Sequence, residues 1–180
     1  MQDDRDRVVP HTWIRMVIGS AVVGFVTGLI ILAVKTLVQA SEKELLKAEP
    51  WVIAASLMVG SLATVVIVRY LGGRSPSTTD RYIDQFHEQH NNIDVGHAPG
   101  RLGASVTTGA SGIPMGLEGP AIYAGAAVAT LVKRTVRGFA EVELRSFLVA
   151  GAAAGVAAVF KAPLAGAIFA LEVPYRRTFA

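Results

Sequence analysis

Two uninterrupted apolar runs dominate the first half of the chain, Met16 to Val34 and Trp51 to Val68. Each has about the length that a helix needs to cross a hydrocarbon core of roughly 30 Å. The pattern predicts two membrane-spanning helices, from about Thr12 to Ala40 and from about Trp51 to Leu71.

The second half, from Gly100 onward, is apolar but punctuated by prolines at positions 114, 120 and 163. Broken helices leave backbone groups unpaired, so a membrane tolerates them where they line a protein-enclosed site. The pattern predicts an all-α polytopic membrane protein with broken or re-entrant helices. The predicted short segments are Arg101 to Ile113, Pro120 to Val136, Glu141 to Phe160 and Pro163 to Val173.

Composition agrees with a membrane class, because 52% of the residues are hydrophobic and 17% are charged, against about 25% charged in soluble domains. The chain has no cysteine, and it shows no Gly-rich nucleotide loop and no paired His, Cys or Asp cluster. We therefore expect no cofactor, no bound metal and no enzymatic activity. The net charge of +3 includes no long basic tract, so a nucleic-acid partner is not expected.

The charges flanking the two long runs favour a cytoplasmic N-terminus, with residues 1–11 as a cytoplasmic tail. Arginines lie on both outer flanks, although the intervening loop also carries lysines at positions 35, 43 and 47. An alternative is that the first run is a signal peptide cleaved near Val38 to Ala40. The run exceeds the roughly 7–15 residues of such a segment, which favours a retained helix.

Glu118 is the only charged residue between Leu102 and Val132. A carboxylate near mid-bilayer costs roughly 2.5–3.5 kcal/mol on insertion scales, so such residues are usually functional. Pro120 is predicted at the first position of the following helix, which leaves the N–H groups of Gly119, Ala121 and Ile122 unpaired.

These N–H groups and the positive end of the helix dipole make an anion site without a basic side chain. Such a site would release its anion, as permeation requires. The carboxylate of Glu118 could occupy the site, and protonation would remove its charge. The alternative is a glutamate that only caps the helix. The predicted site includes Gly116, Leu117, Gly119, Pro120, Ala121 and Ile122.

A second helix start follows the second long run. Glycine permits a close approach of the backbone to a ligand, and proline begins helices readily. The residues predicted to contribute to anion binding here are Gly72, Gly73, Arg74, Ser75 and Pro76. The alternative is a plain loop followed by a capped interfacial helix.

Two stretches resemble the CLC family of chloride channels and H+/Cl- exchangers. The first is "GLEGP" (Gly116 to Pro120), and the second is "AGAAAGVAAVFKAPLAGAIFALEV" (Ala150 to Val173). The resemblance implies that residues 12–180 are the N-terminal half of a CLC-type transmembrane domain, an incomplete first inverted repeat.

The same resemblance implies a function and partners. Glu118 would be the gating glutamate and proton acceptor of a voltage-gated-type chloride or anion channel, or of a proton-coupled chloride transporter. It also implies a multi-pass protein of the plasma (inner) membrane that transports chloride or a similar anion, and possible proton coupling. A homodimer is expected, with its interface on the segment from Pro163 to Val173.

The chain departs from the family pattern in three places. The serine of the family's first anion motif falls at Gly73, while the literal "SGIP" at Ser111 to Pro114 does not correspond to that motif. Leu117 stands where the gate motif usually has Arg or Lys. Val173 stands where exchangers often carry an inner glutamate, which favours a channel or another proton route.

A different hypothesis is that the chain does not transport and is a truncated half-domain that acts as an assembly fragment. A third hypothesis, an unrelated secondary transporter with broken helices, requires the "APLAG" match to be a coincidence.

Overall fold

The computed structural model describes residues 10–72, 82–83, 95–136, 138 and 144–172, and these residues contain helices and no strands. This confirms the predicted all-α class. The helices are α1 (Pro10–Leu45), α2 (Pro50–Leu71), a single 3-10 turn (Val95–His97), α3 (Ala98–Ala110), α4 (Glu118–Thr135), α5 (Leu144–Phe160) and α6 (Pro163–Glu172).

Two of these helices, α1 and α2, are long and apolar enough to cross a membrane. The first has 36 residues, and at 1.5 Å per residue it is about 54 Å long. It therefore exceeds a core of roughly 30 Å and continues through Ser41 to Leu45, beyond the predicted end of the span at about Ala40. The second has the predicted bounds to within one residue and ends at Gly72, whose N–H caps it.

One face of α2 packs against α3 through small and hydroxyl residues spaced four apart, Ser56, Gly60 and Thr64. The hydroxyls of Thr64 and Thr108 lie 2.9 Å apart, and Ser56 Oγ donates to the carbonyl of Ser111 at 3.2 Å. The remaining surface of α2 is largely exposed, as expected for a helix that faces lipid or further protein.

The centre of the fold is α4, which packs most extensively against α5 and also contacts α1. Every residue from Ala121 to Thr130 is buried. The crossing with α5 is very close, because a Cβ at Gly125 would overlap the carbonyl of Gly151, and the converse also holds. Glycine at both positions is what allows the two backbones to meet.

The junction between α5 and α6 is a tight helix end. Lys161 has a φ of +55°, and Ala162 donates its N–H to the carbonyl of Ala157 at 3.2 Å, which is the pattern of a Schellman cap. Pro163 then begins α6, as predicted. Gly166 packs against α5, where a Cβ would overlap the carbonyl of Ala153.

Candidate functional site at the start of α4

The loop from α3 to α4 delivers Glu118 to the beginning of the buried central helix. Gly112 turns the chain after α3 with a φ of +88°, a conformation that glycine adopts without steric cost. Leu117 is the N-cap of α4, and Glu118 is the first residue of the helix. An acid at this position is stabilised by the positive end of the helix dipole.

The predicted place of Pro120 in this helix is wrong. Pro120 is the third helical residue, and the N–H of Ala121 already donates to the carbonyl of Leu117 at 2.9 Å. The prediction failed because proline fits anywhere in the first turn, where its missing N–H is not needed.

Because Pro120 is the third residue of α4, the N–H groups that are available to bind an anion differ from the predicted ones. The N–H groups of Glu118 and Gly119 have no backbone acceptor among the described residues, as expected for the first positions of a helix. Ala121 is engaged in the helix, and the side chains of Ala121 and Ile122 are buried. These two residues therefore contribute packing: a Cβ at Gly155 of α5 would overlap the carbonyl of Ala121.

The carboxylate of Glu118 folds back toward the loop that precedes the helix. A Cβ at Gly116 would overlap its Oε2 atom, so the carboxylate lies in the space that glycine leaves open. Glu118 is partly buried, and within the described part of the chain its carboxylate has no hydrogen-bonding or ionic partner.

Of the second predicted anion segment, the structure describes Gly72; Gly73, Arg74, Ser75 and Pro76 lie outside the described residues. The N–H of Gly72 donates to the carbonyls of Ile67 and Val68, both at 3.1 Å. This N–H completes the end of α2, and the contribution of Gly72 to anion binding through a close approach of its backbone stays a prediction.

Arg101, which the sequence interpretation did not single out, contacts both the end of α2 and the helix that carries Glu118. Its Nε donates to the carbonyl of Gly72 at 2.9 Å, and its guanidinium carbon lies 4.6 Å from the centre of the Tyr123 ring. Tyr123 is a buried residue of α4, five positions after Glu118. A partly buried cation therefore connects the end of α2 with the helix that carries the carboxylate.

The "SGIP" stretch is used for packing. Ser111 caps α3, its Oγ donates to the carbonyl of Thr108 at 2.7 Å, and its side chain fills the space opposite Gly60. Among the described residues no cluster of three His, Cys, Asp or Glu side chains could hold a metal ion.

Two helices that are long and apolar enough to cross a membrane, together with close helix crossings at small residues, indicate a membrane protein. The sequence profile of the voltage-gated chloride channel family matches residues 59–180. The chain belongs to this family, which includes the CLC chloride channels and exchangers.

Relatives agree with this assignment. The chain is 34% identical over 124 residues to a chloride/fluoride channel protein of Pseudomonas syringae, covering 69% of this chain and 27% of the relative. It is 45% identical over 62 residues to the H(+)/Cl(-) exchange transporter ClcA of Vibrio cholerae, covering 34% of this chain and 13% of the relative. It is 31% identical over 137 residues to the human H(+)/Cl(-) exchange transporter 7, covering 66% and 16%.

The chain thus spans about a quarter or less of the length of these relatives. No solved structure matches it significantly. The relatives support anion transport as the function of the family.

Proposed function

We propose that this chain forms part of the anion pathway of a chloride channel or a proton-coupled chloride transporter, and that Glu118 is its gate. The observation that carries the proposal is the place of the Glu118 carboxylate. It is partly buried at the first position of α4, it lies over Gly116, and it has no ionic partner among the described residues.

The gating step follows from competition between two anions. The ionised carboxylate and a permeating anion are both attracted to the start of α4, where the N–H groups of Glu118 and Gly119 have no backbone acceptor in the described part of the chain. The tethered carboxylate excludes the mobile anion while it is charged. When Glu118 takes up a proton, its charge is lost and chloride can take its place.

Leu117 and Met115 flank this position with apolar side chains. Without a fixed cation in the loop itself, the anion is held by amide dipoles alone, and weak binding of this kind favours passage. Glu172, next to the position at which exchangers often carry an inner glutamate, is exposed at the end of α6. Val173 lies outside the described residues. Chloride flux measured together with proton flux distinguishes a channel from an exchanger.

Chloride efflux from liposomes that contain the intact protein tests this proposal. Glu118→Gln replaces the carboxylate by a neutral group of the same size, and we expect it to raise chloride flux or to uncouple flux from proton movement. Glu172→Gln is the matched control, because it removes the same charge from an exposed position. Equal flux in wild type and Glu118→Gln, with equal proton coupling, would contradict the gating role.

The alternative function is a non-transporting half-domain that acts as an assembly fragment. It predicts no chloride flux from the wild-type protein and no transport effect of Glu118→Gln.

We further propose a multi-pass homodimer in the plasma membrane (the inner membrane in bacteria). In support, Leu164 and Ile168 of α6 are 75% and 49% exposed, and they present an apolar face that a second subunit could cover.

A further inference from the structure

A cavity of about 140 Å³ lies between α1 and the loop that leads to Glu118. Three polar side chains of α1 line it, Lys35, Gln39 and Glu42, which follow one another at intervals of four and three residues and so share one helix face. The opposite wall includes Met115 and Leu117. Since one water accounts for about 30 Å³ of liquid, the cavity has room for a small anion with part of its hydration shell.

Lys35 is the cation of this cavity, and a long-range contact fixes its position. Its Nζ donates to the carbonyl of Val159 at 2.6 Å. That carbonyl belongs to the last turn of α5, where partial negative charge attracts a cation. An ammonium group has three donors, and the described structure uses one of them, which leaves the others for a further ligand.

The charges around the cavity favour an anion near Lys35. Lys35 is partly buried, whereas Glu42 is exposed, so solvent screens the acid more strongly than the lysine. The two form no ion pair with each other. Gln39 is neutral and can donate from its amide, and Met115 and Leu117 contribute no charge.

We propose that this cavity is a docking site for a small inorganic anion such as chloride, held by the ammonium group of Lys35. Because Leu117 both lines the cavity and caps α4, an anion docked here lies one residue from the gate. This site rests on the proposed function, since its role is to supply anions to the position that Glu118 controls. Lys35 lines the same cavity as Leu117 and supplies there the positive charge that the loop lacks at position 117.

A single cysteine at position 39 reports anion binding in this cavity without a transport measurement. The 180 residues contain no cysteine, so Gln39→Cys provides a unique thiol within them. Its rate of modification is measured with an anionic and with a cationic methanethiosulfonate reagent, with chloride replacing gluconate at constant ionic strength. We expect chloride to slow the anionic reagent in a saturable manner.

Lys35→Gln in the same background should abolish this protection. It should also lower the rate of the anionic reagent about fivefold and raise that of the cationic reagent about fivefold, the effect of one unit charge at about 4 Å in water, so that their ratio falls about 25-fold. Lys43→Gln is the matched control, since Lys43 lies on α1 outside the cavity lining and is exposed. An unchanged rate ratio and unchanged chloride protection in Lys35→Gln would overturn the docking site.

Glu42→Gln keeps the test decisive if Lys35→Gln does not fold. Removing the acid should strengthen chloride protection, and no change in protection would count against the site.

The flux assay separates this proposal from the previous one. Chloride protection at position 39 together with an inert Glu118→Gln variant would retain the docking site and reject the gate, and the opposite pair of results would retain the gate alone.

Discussion

The carboxylate of Glu118 occupies the space beside Gly116 that any other residue type at position 116 would fill. Gly116 does not need glycine for its backbone, since Gly112 is the one glycine described with a positive φ. Its role is therefore steric: the missing Cβ allows the carboxylate of Glu118 to fold back toward the loop that precedes α4. The gating proposal depends on this arrangement.

Gly116→Ala should displace the carboxylate while leaving the fold intact. The overlap is with the end of a flexible side chain, so we expect a change in unfolding free energy within about 0.5 kcal/mol. Chloride flux in liposomes should rise, because the acid can no longer rest in its present position. Gly103→Ala is the control, since a Cβ there meets nothing within 4 Å. A flux equal to that of wild type would show that the folded-back position is irrelevant.

Gly125→Ala should destabilise the fold through the crossing of α4 and α5. The new methyl group would overlap the backbone of Gly151, which cannot rotate away, and overpacking of this kind costs about 1–3 kcal/mol. Thermal unfolding in detergent measures the loss, with Gly24→Ala as comparison because a Cβ there is 3.7 Å from Ala154, an ordinary contact. Equal melting temperatures for the two variants would disprove the tight crossing.

Arg101→Gln should loosen the connection between the end of α2 and α4. It removes the donor to the carbonyl of Gly72 and the cation above Tyr123, which together are worth about 2 kcal/mol in a partly buried setting. Arg101→Lys keeps the charge but not the guanidinium geometry, and we expect an intermediate loss of thermal stability. If both variants melt like wild type, Arg101 does not hold these segments together.

Ile168→Cys should form a crosslink between subunits if α6 lies at a dimer interface. The side chain is 49% exposed on an apolar helix whose buried residues are Gly166 and Ala170. Oxidation in native membranes followed by non-reducing electrophoresis measures the dimer, and Trp51→Cys, an exposed position on α2, is the control. Absence of a dimer band at position 168 under every membrane-like condition would reject the interface.

The sequence predicted the helix ends well where a glycine or a proline marks them. Gly72 ends α2 and Pro163 begins α6 as expected, because glycine and proline act through their own backbone geometry. The extent of α1 was underestimated, since the charged residues after Ala40 remain helical beyond the apolar run. Apolarity sets the membrane-crossing part of a helix, whereas its length also depends on local propensity.

The sequence located the central residue of the candidate site, Glu118, but it did not predict the hydrogen bonds and contacts around it. An isolated acid before a proline located Glu118, but the register of Pro120 depended on hydrogen bonds that several first-turn positions permit. Lys35 contacts Val159 across 124 positions of sequence, and Arg101 reaches Gly72 across 29. Contacts of this range leave no local pattern, so the two cations near the site became visible from the fold alone.

The pH dependence of chloride flux tests the central claim most directly. Flux through the wild-type protein should rise as the pH falls, because protonation of Glu118 removes the anion that blocks the start of α4. In Glu118→Gln, flux should be high and should no longer change with pH. A Glu118→Gln variant that keeps the pH dependence of the wild type would contradict the assignment of Glu118 as the gate.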